Sequence, residues 1–154
     1  MDAFREHLVK SLKGGQAFVA YKKALDGVKP DCRGVRVREE NHSIYEELEH
    51  MRLAQRDLLD FALDPDWKPP DWPEGFWPQP GHVPSEAEWK ATVDGFFRDL
   101  NRAARLAGDA KIDLLSCVPQ TENTYLREIM LIIEHNAYHL GKIVDARKAL
   151  GDWK

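Results

Sequence analysis

Residues 124–150 constrain the fold more than any other stretch of this chain. Leu126, Ile129, Met130, Ile132, Ile133, Leu140, Ile143 and Val144 recur at helical spacing, yet they cover much of the girth rather than one stripe. A helix apolar on so many sides has to be buried among other helices. Asn123 or Thr124 is placed to cap its start, and Gly151 lies just past its end at Leu150. Within this run His135 and His139 stand on one face, one turn apart. Helical His-x-x-x-His is a known way of supplying two ligands to a transition metal such as zinc. Two nitrogens do not complete a protein site, so the rest of the chain has to offer a third ligand.

Three more helices are predicted to surround this one. Residues 3–27 carry Phe4, Leu8 and Leu12 at helical spacing. Phe18, Tyr21 and Leu25 extend the face, Gly14-Gly15 weakens or bends it, and Gly27 stops it before Pro30. Residues 28–42 are polar and read as a connection. Within them Gly34 to Arg38 alternates but is too short and isolated for a strand. Ser43-Ile44-Tyr45-Glu46 has capping-box spacing and opens a helix to about residue 63, with Ile44, Leu48, Met51, Leu58 and Ala62 as its stripe. Ser85-Glu86-Ala87-Glu88 repeats that spacing ahead of Trp89, Val93, Phe96, Leu100, Ala103 and Ala107, and Gly108 ends the helix. Residues 109–123 form a further connection.

The segment 64–84 differs in kind. Seven of the nine prolines and three of the five tryptophans fall there. Proline denies it a helix or a central strand. A solvated linker has little use for Trp67, Trp72, Phe76 and Trp77, so the segment is expected to lie against the domain with its rings packed down. It is then either a roof over a pocket or a loop that merely covers helix ends. The expected fold is therefore all-α. It is a single domain over residues 1–154, a four-helix bundle with a long Pro/Trp-rich connection between helices two and three.

Charge and composition exclude several classes. A net charge of −4, with no basic stripe, argues against nucleic acid as a partner. No apolar run reaches the ~18 residues of a membrane span, and the N-terminus lacks the pattern of a signal peptide, so a cytoplasmic protein is expected. Cys32 and Cys117 form no CxxC pair and are expected to be inert packing.

Of the six histidines, His50 falls mid-helix beside an apolar stripe, on a different helix from the pair. His7 lies among charges, His42 at a helix entrance and His82 in the Pro/Trp segment. The candidate site is thus His50, His135 and His139. Neutral imidazoles suit zinc, nickel, copper or iron. Three protein ligands leave a coordination position open, as in catalytic zinc sites. A +2 charge left uncompensated by its ligands acidifies a bound thiol, or water to a pKa of about 7 on zinc. Glu46 and Glu134 are the candidates for proton transfer or for supporting the ligands, set against the simpler reading of both as solvated helix charges.

His135-Asn136-Ala137-Tyr138-His139-Leu140-Gly141-Lys142-Ile143-Val144, with Arg147 and Leu150-Gly151-Asp152-Trp153 after it, resembles the C-terminal signature of the DinB/YfiT-like family. Ser43 to Met51 looks like that family's second-helix motif, and the Pro/Trp-rich connection, Trp89 and Leu126-Arg127-Glu128-Ile129 fit the same pattern. The resemblance covers essentially the whole chain. It implies a four-helix bundle with a divalent metal on His50, His135 and His139. Nickel or zinc is the expected ion, with iron or manganese as alternatives. Lys142 stands where similar sequences commonly have Gln. Members of the family include transferases and isomerases that use low-molecular-weight thiols such as bacillithiol, mycothiol or glutathione. The resemblance therefore implies a metal-dependent thiol S-transferase acting on a small-molecule substrate. The alternatives are a metal-dependent hydrolase and a non-catalytic, stress-related metal-binding bundle. A homodimer is a further expectation, from the large apolar helix faces and the Trp-rich segment.

Overall fold

The structure is a computed structural model that describes residues 2–153. It is all-helical, with six α-helices, one 3-10 turn and no strand among the described residues beyond an isolated bridge between Cys117 and Thr124. The helices are α1 (Ala3–Lys13), α2 (Tyr21–Leu25), α3 (Pro30–Arg33), α4 (Ile44–Leu63), α5 (Glu86–Gly108) and α6 (Tyr125–Ala149). None is long and apolar enough to cross a membrane.

The continuous helix expected over 3–27 is broken in two. Gly14 and Gly15 have φ of 70° and 83°, backbone that an L side chain rarely adopts. The Gly14 N–H caps α1 by donating to the Ser11 carbonyl at 3.2 Å. A Cβ on Gly14 would lie 3.0 Å from the rings of both Phe18 and Tyr21. The chain thus turns where those rings fold back. Tyr21 is buried between Phe18 and Phe96, at centroid distances of 5.6 and 5.2 Å. Phe4, counted into the expected apolar face, is exposed. The connection 28–42 contains α3, started by Pro30 at a position where a missing N–H costs nothing.

Both capping boxes form. The Ser43 hydroxyl accepts the Glu46 N–H at 3.2 Å while the Glu46 carboxylate accepts the Ser43 N–H at 2.7 Å. Ser85 and Glu88 do the same at α5, at 3.2 and 2.8 Å. Thr124 caps α6, its hydroxyl accepting the Arg127 N–H at 3.2 Å. Helix α4 packs mainly on α6 and α5, and α1 lies chiefly against α5. Leu48, Met51, Leu59, Phe96, Ile129, Ile132, Leu140 and Ile143 fill the space between them. One polar thread crosses this core. The Asn136 amide donates to Gln55 Oε1 at 2.8 Å, and Gln55 Nε2 donates to the Phe96 carbonyl at 3.0 Å, joining α6, α4 and α5. At the far end of α6, Arg147 donates to the carbonyls of Ala24, Asp26 and Asp152 and pins α2 in place.

The crossover 64–84 packs down only in part. Phe76, in the 3-10 turn Glu74–Phe76, is buried, and Trp67 and Trp77 are half-buried. Trp72 is 72% exposed, contrary to expectation. Cys117 is exposed as well, so it is not a packing residue; Cys32 is half-buried.

Candidate metal centre

Because α4 and α6 pack along their length, His50 faces the pair His135 and His139 across one interhelical seam. The three ring centroids lie 4.3–4.8 Å apart. One nitrogen from each ring falls within 4.8 Å of the other two, and the closest approach is His135 Nε2 to His50 Nε2 at 3.0 Å. No other group of three or more metal-ligating side chains gathers among the described residues.

Hydrogen bonds fix which nitrogen of two rings is free. His50 Nδ1 lies 2.8 Å from the Phe76 carbonyl, which can only accept, so Nδ1 carries the proton and Nε2 keeps its lone pair. His139 Nδ1 lies 2.5 Å from Glu47 Oε2 and donates to that carboxylate, leaving its Nε2 free as well. Both lone pairs turn into the space between α4 and α6. A cation there would satisfy them and the His135 Nε2 together. Two nitrogens each ~2.0–2.1 Å from a tetrahedral zinc stand ~3.3 Å apart, close to the approach seen here. His135 Nδ1 is buried without a protein partner.

Two of the rings, His135 and His50, are also pushed toward the neutral form. Burial lowers the His135 pKa, the neighbouring His139 and His50 lower it further, and it falls to about 3 although Asn136 opposes the shift. Burial lowers His50 too, against the pull of the Phe76 carbonyl. Neutral imidazole is the form a metal requires. The donor set therefore fits a divalent transition ion.

Trp77 closes one side. Its indole stacks on His50 at 3.8 Å and 4°, and His42 stacks on the opposite face at 3.9 Å and 19°. His42 is thus held off the centre by the width of an indole. His82 pairs with Glu88 at 3.1 Å on the surface. His7 lies on the outer face of α1.

The two candidate glutamates go elsewhere. Glu46 is buried against Arg36 (2.5 and 3.0 Å) and the N–H groups of Ser43 and Gly81. Burial acts to raise its pKa, but Arg36 and the two amides prevail and hold it at about 2. It organises the entrance to α4 and touches none of the three histidines. Glu134 is exposed at the rim of a cavity of about 610 Å³ that opens over His50 and His135. Leu58 and Leu131 line that cavity, with Trp72, Phe76 and Tyr138 as its aromatic walls and Asp57 as its other carboxylate. A second hollow of about 580 Å³ lies at the α2–α6 end, among Lys22, Lys23 and Trp153, and has no histidine in its lining.

Sequence reasoning passed over Glu47, Asp57, Trp77 and the Phe76 carbonyl. Glu47 precedes His50 by three residues and so shares its helix face, a signal that was readable. A backbone carbonyl carries no sequence signal at all. Comparison with protein-family models, with curated proteins and with solved structures returned no match.

Proposed function

We propose that the chain is a metal-dependent enzyme of the DinB/YfiT-like kind, built as a four-helix bundle of α1, α4, α5 and α6 with residues 64–84 as its long connection. Its reaction is transfer of a low-molecular-weight thiol to an electrophilic small molecule. One observation carries this reading: three imidazoles converge on one point, and two of them, His50 and His135, line a largely apolar cavity. When bound, a divalent ion such as nickel or zinc supplies the positive charge that favours thiolate over thiol. His50, His135 and His139 hold that ion. Glu47 and the Phe76 carbonyl keep two of the rings in the ligating tautomer, and Trp77 shields His50 from water. Leu58, Leu131 and Phe76 receive the apolar body of the electrophile.

Metal analysis of protein purified without supplementation is expected to give about one divalent ion per chain, reduced in His135→Ala and His139→Ala. A full complement in His50→Ala removes that residue from the site. A screen of thiols against electrophiles then tests the transfer, which must depend on both the metal and the thiol. Metal-assisted hydrolysis of an ester or amide is the second reading, favoured by Glu134 at the cavity rim as a candidate proton carrier. Turnover that proceeds without thiol selects it.

A further inference from the structure

Four other surface hollows among the described residues carry lysine or arginine in their walls: Lys22 in two of them, Arg38 and Arg102 in the others. The cavity over the histidine cluster has neither, in a chain with 22 such residues. Its charged side chains are two carboxylates, Asp57 on α4 and Glu134 on α6. Asp57 accepts a hydrogen bond from the Trp67 indole N–H at 2.9 Å, which fixes its position without neutralising it. Burial raises the Asp57 pKa, and nearby Asp60 adds to this against the Trp67 hydrogen bond. Such a carboxylate gains from a cation brought beside it.

The remaining walls are aromatic. Trp72 and Phe76 stand as a pair, centroids 5.5 Å apart, on the crossover, and Tyr138 projects from α6. Tyr138 already has the Lys142 ammonium over its ring at 4.7 Å. Trp72 has no such partner, and its indole is the most exposed large apolar side chain of the described residues. An exposed indole face beside carboxylates is the chemistry of organic-cation recognition.

We infer that this cavity takes a small apolar molecule bearing an organic ammonium group, its cationic end toward the Trp72 indole, Asp57 and Glu134 and its hydrocarbon body against Phe76, Leu58 and Leu131. This rests on the reading of the cavity as the substrate's seat in a metal-dependent enzyme, and it names the class of that substrate.

The test uses three probes of one shape on the metal-loaded full chain: benzyltrimethylammonium, benzyl alcohol and phenylmethanesulfonate. The ammonium has no lone pair to give a metal, and the sulfonate is a poor ligand. Calorimetric titration is expected to place the ammonium at least about tenfold tighter than the sulfonate, with the alcohol between them. In Asp57→Asn, in Glu134→Gln and in the double variant, the ratio should fall, to about twofold or less in the double. Sulfonate binding as tight as ammonium overturns the inference. So do a ratio unchanged in all three variants and an absence of ammonium binding at millimolar concentration. Metal content is measured on the same samples. Cation preference without metal removes the metal centre and leaves the inference standing; metal without cation preference removes the inference alone.

Discussion

Glu47 ties the histidine cluster to α4 through His139. It is nearly inaccessible to solvent, yet it is an acid whose two oxygens are divided between His139 Nδ1 at 2.5 Å and Lys142 Nζ at 3.6 Å. Partners of this kind on a ligating imidazole typically change metal affinity 10–100-fold. Glu47→Gln and Glu47→Ala are therefore expected to weaken binding by about that factor, read by competition with a chromophoric chelator; an unchanged affinity in both removes Glu47 from the centre. Its neighbour Glu46 makes a different prediction. Its folded pKa, about 2, lies below the ordinary 4.5, so its stabilising contribution is complete above pH 4.5 and is lost as pH falls toward 2. The stability difference between wild type and Glu46→Gln should thus be largest above pH 4.5 and close on acidification, followed by urea denaturation across pH. A difference that does not vary with pH assigns Glu46 a purely steric role. Spacing could not have separated the two glutamates, because both lie within one turn of His50 on its N-terminal side. The deciding partner is Arg36, which reaches Glu46 from a connection whose brief alternation is too short to place it.

At the scale of elements, the legible features were those written in local sequence. The capping boxes at Ser43 and Ser85, the stop near Leu63 and the span of α6 follow from hydroxyl and carboxylate spacing and from apolar periodicity. The error over 3–27 has the same root. Phe18, Tyr21 and Leu25 continue the helical period, but Tyr21 and Leu25 reach the core from a separate short helix and Phe18 from the bend before it. Gly14, at φ 70° and ψ −174°, holds a conformation essentially confined to glycine. Gly14→Ala, favourable in a continuous helix, is expected instead to cost about 1–3 kcal/mol, measured by equilibrium denaturation. A neutral or stabilising result would mean that neither the backbone nor the packed rings require glycine there. The crossover was legible as ordered and proline-bound. That its Phe76 carbonyl would orient a histidine 26 residues away was not, since any residue type supplies a carbonyl.

At the scale of the molecule, the all-helical architecture follows from α6, apolar over much of its girth, and from the partners it therefore needs, although Met130, Glu134 and Tyr138 leave one of its faces exposed. The ligands join α4 to α6 across 85 residues of sequence, so an ion bound there cross-links the two helices with the most extensive mutual packing. Binding restricted to the folded state adds ~2.7 kcal/mol at a free metal concentration a hundredfold above Kd. Chelation is thus expected to lower the melting temperature, and the shift should grow with the logarithm of metal concentration. His135→Ala should show no such dependence. A melting temperature indifferent to metal and chelator would mean that the cluster does not bind an ion in the folded protein.

The stack of Trp77 on His50 gives this centre a voice of its own. An indole in van der Waals contact with a ligating ring is close enough for its excited state to sense the ion's electronic configuration. Zinc has a filled d shell and no redox chemistry, so it should leave the emission largely intact. Open-shell nickel or copper should quench it, and Trp77→Phe should abolish the distinction. The identity of the metal, which no spacing of histidines encodes, can then be read from the protein's own light.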